Sequence, residues 1–120
     1  INPNTLQIGN RISYQGYVAT VTALATHFVH FCIDGEDHDS VRKYEDIDPI
    51  PITEERLRDA GFVPKNVGFP DEYLTFDGKL FWWKVCRNEF FFHKTESGSV
   101  VMGAWHDLQN LVRLISGKDI

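Results

Sequence analysis

The residues best suited to chemistry lie together in one short polar segment, residues 34–39. This segment contains four carboxylates and one imidazole, a set that suits a divalent cation. A calcium loop places acidic ligands at alternating positions and a glycine at the sixth, and this segment does not follow that order. We therefore interpret it as the solvated tip of a hairpin. Its polar residues remain the candidate metal ligands, namely Asp34, Glu36, Asp37, His38 and Asp39.

Other nucleophiles and metal ligands are scattered along the chain. The five histidines include no H-x-x-x-H or H-E-x-x-H pair, the spacing with which one helix binds zinc. Cys32 and Cys86 fit no zinc or redox spacing, so we interpret them as reduced thiols in apolar strands. A nucleophilic site would require His93 and His106 to converge on Cys86. The sequence thus predicts no catalytic residue and no cofactor.

The elements that must position these residues are clearest between residues 73 and 103. Turn signals divide this segment into short runs of β-branched and aromatic residues, a pattern typical of an antiparallel meander. The longest runs are Leu80 to Cys86 and Glu89 to Thr95. The turn signals are Asp77-Gly78, Arg87-Asn88 and Ser97-Gly98.

The aromatic residues of this meander require cover on both of its faces. Because side chains alternate along a strand, Trp82 and Trp83 belong to opposite faces. A C-terminal helix can cover one face, and the N-terminal half, a homodimer mate or a ligand must cover the other. Tryptophan and tyrosine are favoured anchors at protein interfaces. The predicted partner-binding residues are therefore Tyr73, Trp82, Trp83, Phe91 and Tyr17.

The first half of the chain favours short strands with tight turns. Residues 1–7 are polar and are predicted to form a loose arm. Hydrophobic alternation then predicts strands within residues 8–14, 17–25, 28–33 and 41–47. This succession is typical of a small SH3-like β-barrel.

Two helices are predicted outside the strands. Pro49 and Pro51 make an extended hinge, after which Thr53 is placed to cap a short helix that ends at Gly61. Leu57 is the expected buried residue of this short helix. A second, amphipathic helix ends at Gly117, and its apolar stripe comprises Trp105, Leu108, Leu111, Val112 and Ile115.

These elements predict an α+β protein that forms one compact unit. An SH3-like barrel occupies residues 1–50, and the hinge with its short helix occupies residues 51–62. The meander and the C-terminal helix together occupy residues 63–120. A chain of 120 residues buries enough surface to fold without disulfides or metals.

Charge and hydropathy narrow the classes of partner. With a formal net charge of −5 and only 12 Lys and Arg residues, the chain has little electrostatic attraction to nucleic acid. No apolar run reaches the length of about 18 residues that spans a membrane, and no leader pattern opens the sequence. We therefore expect a cytoplasmic protein that does not bind membranes.

The predicted function is non-enzymatic binding, in which an aromatic sheet face or a barrel groove contacts a protein partner or a second copy. One alternative is a nucleic-acid-binding module, which would need a continuous positive strip. The residues of that strip would be Arg42, Lys43, Lys79, Lys84 and Arg87. The other alternative is a small-molecule or enzymatic site between the two halves, formed by His93, Asp107 and Glu89.

The chain contains five recognisable motifs, namely Ile8-Gly9-Asn10, Ile50 to Glu54, Ala60-Gly61-Phe62, Leu108 to Leu111 and Ser116-Gly117-Lys118. They resemble the motifs of a family of short uncharacterised proteins from gut-type bacteria and from their phages and mobile elements. The chain departs from the family pattern at Val112, where an aromatic residue is usual, and at Ile115-Ser116. The resemblance implies a coherent fold and a bacterial or phage cytoplasm, and it implies no catalytic residues.

Overall fold

A computed structural model of the chain describes residues 1–64, 71–84, 89–94 and 98–120. Between residues 64 and 102 it describes side chains only at positions 76–78. The described chain forms two units of an α+β protein. The first comprises Ile1–Ile50 and Ala104–Asp119, and the second comprises Pro51–Gly103 with Ile120.

The first unit contains a four-stranded antiparallel sheet whose strands follow one another in chain order. The strands are β1 (Arg11–Tyr14), β2 (Tyr17–Leu24), β3 (Phe28–Ile33) and β4 (Asp39–Lys43). β2 and β3 confirm two of the predicted strands almost to the residue. The predicted barrel is not confirmed, because the sheet is open, with β1 at one edge and β4 at the other. On the outer side of β1, Ser13 forms an isolated bridge to Asp48.

One face of this sheet carries the core of the first unit. Strand alternation places the buried side chains of β1, β2 and β3 on this inner face. Leu6, Tyr44 and Ile47 pack into the same cluster from the flanking segments. The fully or almost fully buried strand residues are Ile12, Ala19, Val21, Val29 and Phe31.

The first ten residues are ordered, so the prediction of a loose arm is wrong. Pro3–Thr5 form a short 3-10 helix, and the side chain of Asn2 caps it by accepting from the backbone nitrogen of Asn4. Leu6 is 5% exposed, and the nitrogen of Ile1 donates to the carbonyl of Tyr44 at 2.9 Å. Hydrogen bonds and one buried leucine therefore hold a segment whose composition alone favours disorder. We call residues 1–11 the N-terminal arm.

The second unit opens with helix α1 (Glu54–Asp59). As predicted, the Thr53 side chain accepts from the backbone nitrogen of Arg56 at 3.2 Å, and Leu57 is buried. Gly61 follows the helix with φ +101°, a conformation that favours glycine. The chain then turns back, and the Phe62 ring stacks on Phe76 with their centroids 4.9 Å apart.

A five-stranded antiparallel sheet completes the second unit and confirms the predicted meander. The strands are β5 (Val63–Pro64), β6 (Asp71–Phe76), β7 (Lys79–Lys84), β8 (Glu89–Lys94) and β9 (Gly98–Met102). The turn at Asp77-Gly78 lies between β6 and β7 as predicted. Residues 65–70, 85–88 and 95–97 lie outside the described chain.

Helix α2 (Trp105–Ser116) follows β9 and ends at Gly117, which has φ +70°. This confirms the predicted helix, and Trp105, Leu108 and Val112 of its apolar stripe are buried. The predicted domain boundaries grouped this helix with the meander. In the structure it belongs to the first unit instead, because a second, polar stripe bonds it to the N-terminal arm.

Candidate functional site

The polar stripe of α2 consists of His106, Gln109, Asn110 and Arg113. Their spacing of i, i+3, i+4 and i+7 places them on one side of a helix. Each makes a hydrogen bond to the N-terminal arm. The shortest are 2.7 Å, from the backbone nitrogen of Arg11 to Gln109 Oε1 and from Asn10 Nδ2 to Asn110 Oδ1. The last turn of the helix adds a bond from Arg113 Nη1 to the carbonyl of Ile8.

Asn10 is the centre of this contact, with a side chain that is fully buried. Its Nδ2 donates to Asn110 Oδ1, and its Oδ1 accepts from the backbone nitrogen of Gln7 at 2.8 Å. Asn110 in turn donates to the carbonyl of Thr5 at 2.9 Å. The two amides therefore join the arm to the helix through a continuous chain of hydrogen bonds.

His106 is buried at the other end of the same stripe. Its Nε2 lies 2.9 Å from the hydroxyl of Thr5, and that hydroxyl donates its own proton to the carbonyl of Asn2. The hydroxyl must therefore accept from His106, which assigns the proton of the neutral ring to Nε2. Nδ1 is buried and has no hydrogen-bond partner among the described residues. A second proton at Nδ1 would be a buried donor without an acceptor.

The environment of His106 favours its neutral form. Burial lowers the pKa of His106 below its ordinary value of 6.5, while the Asp107 carboxylate acts in the opposite direction. The unfolded chain therefore binds a proton near pH 6.5 that the folded chain still excludes. Stability is full above that pH and falls as the pH drops through it.

We expect acid to weaken the folded state through this one residue. Below about pH 6.5 the free energy of unfolding should fall by at most about 1.4 kcal/mol per pH unit, the limit for one proton. His106→Gln should flatten this dependence. Urea denaturation of the wild-type and variant chains at pH 5 to 8 measures the effect. An unchanged pH dependence in His106→Gln would contradict the assignment.

Residues 34–38 of the acidic segment form the turn between β3 and β4, as the sequence predicts, and Asp39 begins β4. Arg11 binds Asp34 through both terminal guanidinium nitrogens, Nη1 and Nη2, and these hydrogen bonds lower the pKa of the Asp34 carboxyl. His38 lies beside Glu36 and Asp37 at 3.3 and 3.4 Å, and Asp39 accepts from Thr22. Among the described residues, no group of three or more His, Cys, Asp and Glu side chains is arranged to hold a metal.

The outer face of the first sheet, opposite its core, is built from Ala23, Phe28, His30, Cys32 and Val41. The strand register places Ala23 and Val41 on either side of His30, and Phe28 and Cys32 share its parity. Phe28 is 43% exposed and Val41 is 40% exposed, while the other three are half-buried. This face therefore brings exposed apolar side chains of two neighbouring strands together.

Strand β4 is an open edge of the sheet. Among the described strands, it pairs with β3 alone. In an antiparallel strand, each residue directs its N–H and its C=O to the same side, and successive residues alternate between the two sides. The carbonyl of Phe28 accepts from Ala25, so Phe28 and the residues of its parity bond toward β2. The other residues of β3 bond toward β4, where their backbone partners are Ser40 and Arg42. Asp39, Val41 and Lys43 direct their backbone groups to the open edge.

In the second sheet, the register aligns three of the predicted partner-binding residues. Tyr73 lies directly opposite Trp82, and Trp82 lies directly opposite Phe91. Trp83 is paired with Glu72 and Phe90 and so belongs to the alternate row. Tyr17, the fifth candidate, lies in the other unit at the start of β2 and is 61% exposed.

The remaining candidates form no catalytic group in the described chain. Cys32 is a half-buried thiol that donates to the carbonyl of Glu36, and Cys86 lies outside the described residues. His106 is bonded to Thr5, and the side chains of His93 and Glu89 are not described.

Of the positive strip predicted to bind nucleic acid, the structure describes the side chains of Arg42 and Lys43, which are exposed on β4. Arg42 is bonded to Tyr14 and to the carbonyl of Val41. Lys79 and Lys84 are strand residues without described side chains, and Arg87 lies outside the described residues.

One cleft in the first unit has a volume of about 430 Å³. It lies at the end of the sheet where the β2–β3 turn meets the segment after β4. Its wall mixes apolar side chains such as Phe28 and Tyr44 with the charged residues Lys43 and Glu45. Phe28 lines this cleft and also belongs to the outer face.

No protein family, curated protein or solved structure that was compared matches this chain. The family resemblance therefore stays a prediction. None of the helices in the described part of the chain has the length and apolar character needed to cross a membrane.

Proposed function

We propose that this protein is a non-enzymatic binding protein that presents the outer face of its four-stranded sheet to a protein partner. The observation that carries this proposal is the adjacent exposure of Phe28 and Val41 on that face. Scattered exposed hydrophobic residues are ordinary on a protein surface, but a contiguous group marks an interaction site.

The surroundings of these two side chains suit a protein interface. An interface combines an apolar centre with a polar rim. Here the centre is Phe28 and Val41, and the rim includes the exposed Lys43 next to Phe28 and the half-buried His30. An aromatic ring at the centre provides the large contact area typical of a binding hot spot. In the second sheet, the register aligns Tyr73, Trp82 and Phe91 in one row across three neighbouring strands.

Site-specific photo-crosslinking in cells of the source organism tests this proposal. A benzophenone amino acid replaces Phe28 in one variant and Leu114, the exposed leucine of α2, in the matched control. We expect a discrete protein adduct from position 28 and none from position 114. Adding Val41→Asp should remove the adduct at position 28, because it places a charge at the centre of the apolar face. No adduct at position 28, or the same adducts from both positions, would overturn the proposal.

A further inference from the structure

We propose that two copies of this protein pair edge to edge through β4, so that their four-stranded sheets join into one antiparallel sheet. The proposal goes beyond the binding function above and is independent of it, because an edge can pair whether or not the outer face binds a partner. It is carried by the backbone of β4 and by the order of charges along this strand.

The backbone of β4 is prepared for a further strand. Asp39, Val41 and Lys43 direct their N–H and C=O groups away from β3, as the pairing of β3 with β2 requires. The carbonyl of Val41 agrees with this direction, because it accepts from a side-chain nitrogen, Arg42 Nη1, at 2.7 Å and not from the backbone of β3. When a second strand arrives, the N–H of Val41 from the second copy can replace this guanidinium. An open strand edge of this kind is a template for another chain.

The charges of β4 are complementary to themselves under a two-fold axis. With Val41 opposite Val41 of the second copy, Asp39 lies opposite the second copy's Lys43, and Lys43 lies opposite its Asp39. Ser40 and Arg42 are paired in the same way on the other side of the strand. Opposite charges directly across an antiparallel pair are favourable, and like charges are unfavourable.

The outward backbone groups exclude the alternative registers. The residues with outward backbone groups, Asp39, Val41 and Lys43, must pair with the same three residues of the second copy. The nearest alternative registers therefore place Val41 opposite Lys43 or Asp39 opposite Val41. One shift places Arg42 opposite Arg42, and the other places Asp39 opposite Val41 and removes both charge pairs. The register centred on Val41 retains the most pairs, and it is an isologous contact that closes at two copies.

The geometry also determines where the outer faces lie. Directly paired residues of an antiparallel sheet stand on the same face. The axis therefore keeps Phe28 and Val41 of both copies on one side of the joined sheet. The dimer carries a doubled apolar surface, with the two Val41 side chains in contact at its centre.

Exchange of the two charges on the full chain tests the proposal by sedimentation equilibrium. The wild-type mass should double with concentration. Asp39→Lys and Lys43→Asp should each raise the dimer dissociation constant by roughly tenfold, because each turns two attractive pairs into repulsive ones. The double variant carrying both changes should recover the wild-type constant. The matched control is Glu55→Lys, a charge reversal at an exposed residue of α1, which should have no effect.

Hydrogen exchange of the wild-type chain supplies a measurement that needs no variant. The amides of Val41 and Lys43 should become protected as the concentration rises, since they face the open edge of the described sheet and the second copy would bond them. A protein that stays monomeric overturns the proposal, and so does a dimer that tolerates both single reversals. Failure of the double variant to recover pairing, or exchange at these amides that is independent of concentration, also overturns it.

Discussion

Replacing Leu108 by alanine is expected to lower the free energy of unfolding of the first unit by about 2–5 kcal/mol. Leu108 lies in the middle of α2 and is fully buried. Removing its isobutyl group loses the free energy of transferring that group from water and leaves a cavity that its neighbours fill only in part. Alanine favours a helix more than leucine does, so backbone propensity cannot account for such a loss.

The matched control stands on the same helix. Leu114 is 82% exposed, and Leu114→Ala removes the same atoms from water-facing surface. We expect this variant to change stability by less than about 0.5 kcal/mol. Urea denaturation followed by circular dichroism measures both variants. Equal losses in the two variants would contradict the burial that the structure assigns to Leu108.

The second large effect is expected at Asn10, whose polar side chain is fully buried. Asn10→Ala leaves the Asn110 oxygen and the Gln7 backbone nitrogen without their partner. A buried polar group without a partner costs about 1–3 kcal/mol, and since both of these hydrogen bonds are only partly buried, we expect a loss of about 1–3 kcal/mol in total.

The same measurement applied to Asn4→Ala provides the comparison. Asn4 is an exposed residue of the arm, and we expect its replacement to be nearly neutral. A further variant, Asn10→Asp, keeps the size of the side chain but replaces the donating amide with a carboxylate. It should be at least as destabilising as alanine, because it buries a charge against the Asn110 oxygen. Tolerance of Asn10→Asp would disprove the donor role of Asn10.

Local rules were sufficient for the elements that carry strong periodic patterns. The alternation in β2 and β3, the Thr53 cap and the Gly117 terminus depend on residues close in sequence, and the structure confirms each of them. The open sheet was not predicted, because short strands with tight turns are common to closed barrels and open sheets. Whether β1 meets β4 depends on strand twist and length rather than on pattern.

The N-terminal arm shows the other limit of sequence reasoning. Its first seven residues have no periodicity, and the arm is held by a helix 100 positions away, as in the pair Asn10 and Asn110. One signal was present, since His106, Gln109, Asn110 and Arg113 repeat at helical spacing beside the apolar stripe. Polar residues at that spacing usually mark the solvated face of a helix. Their burial follows only from the tertiary contact.

The hydrogen bond from the backbone nitrogen of Trp105 to the carbonyl of Ile50, at 2.8 Å, has a consequence for synthesis of the chain. It holds together the two points at which the chain leaves the first unit and returns to it, with residues 51–103 emerging from the ribosome in between. The four strands of the first sheet are complete long before the helix that bonds its arm has been translated. Native contacts of such wide sequence separation form slowly. Asn10 Nδ2 therefore cannot meet Asn110 until helix α2 has been translated.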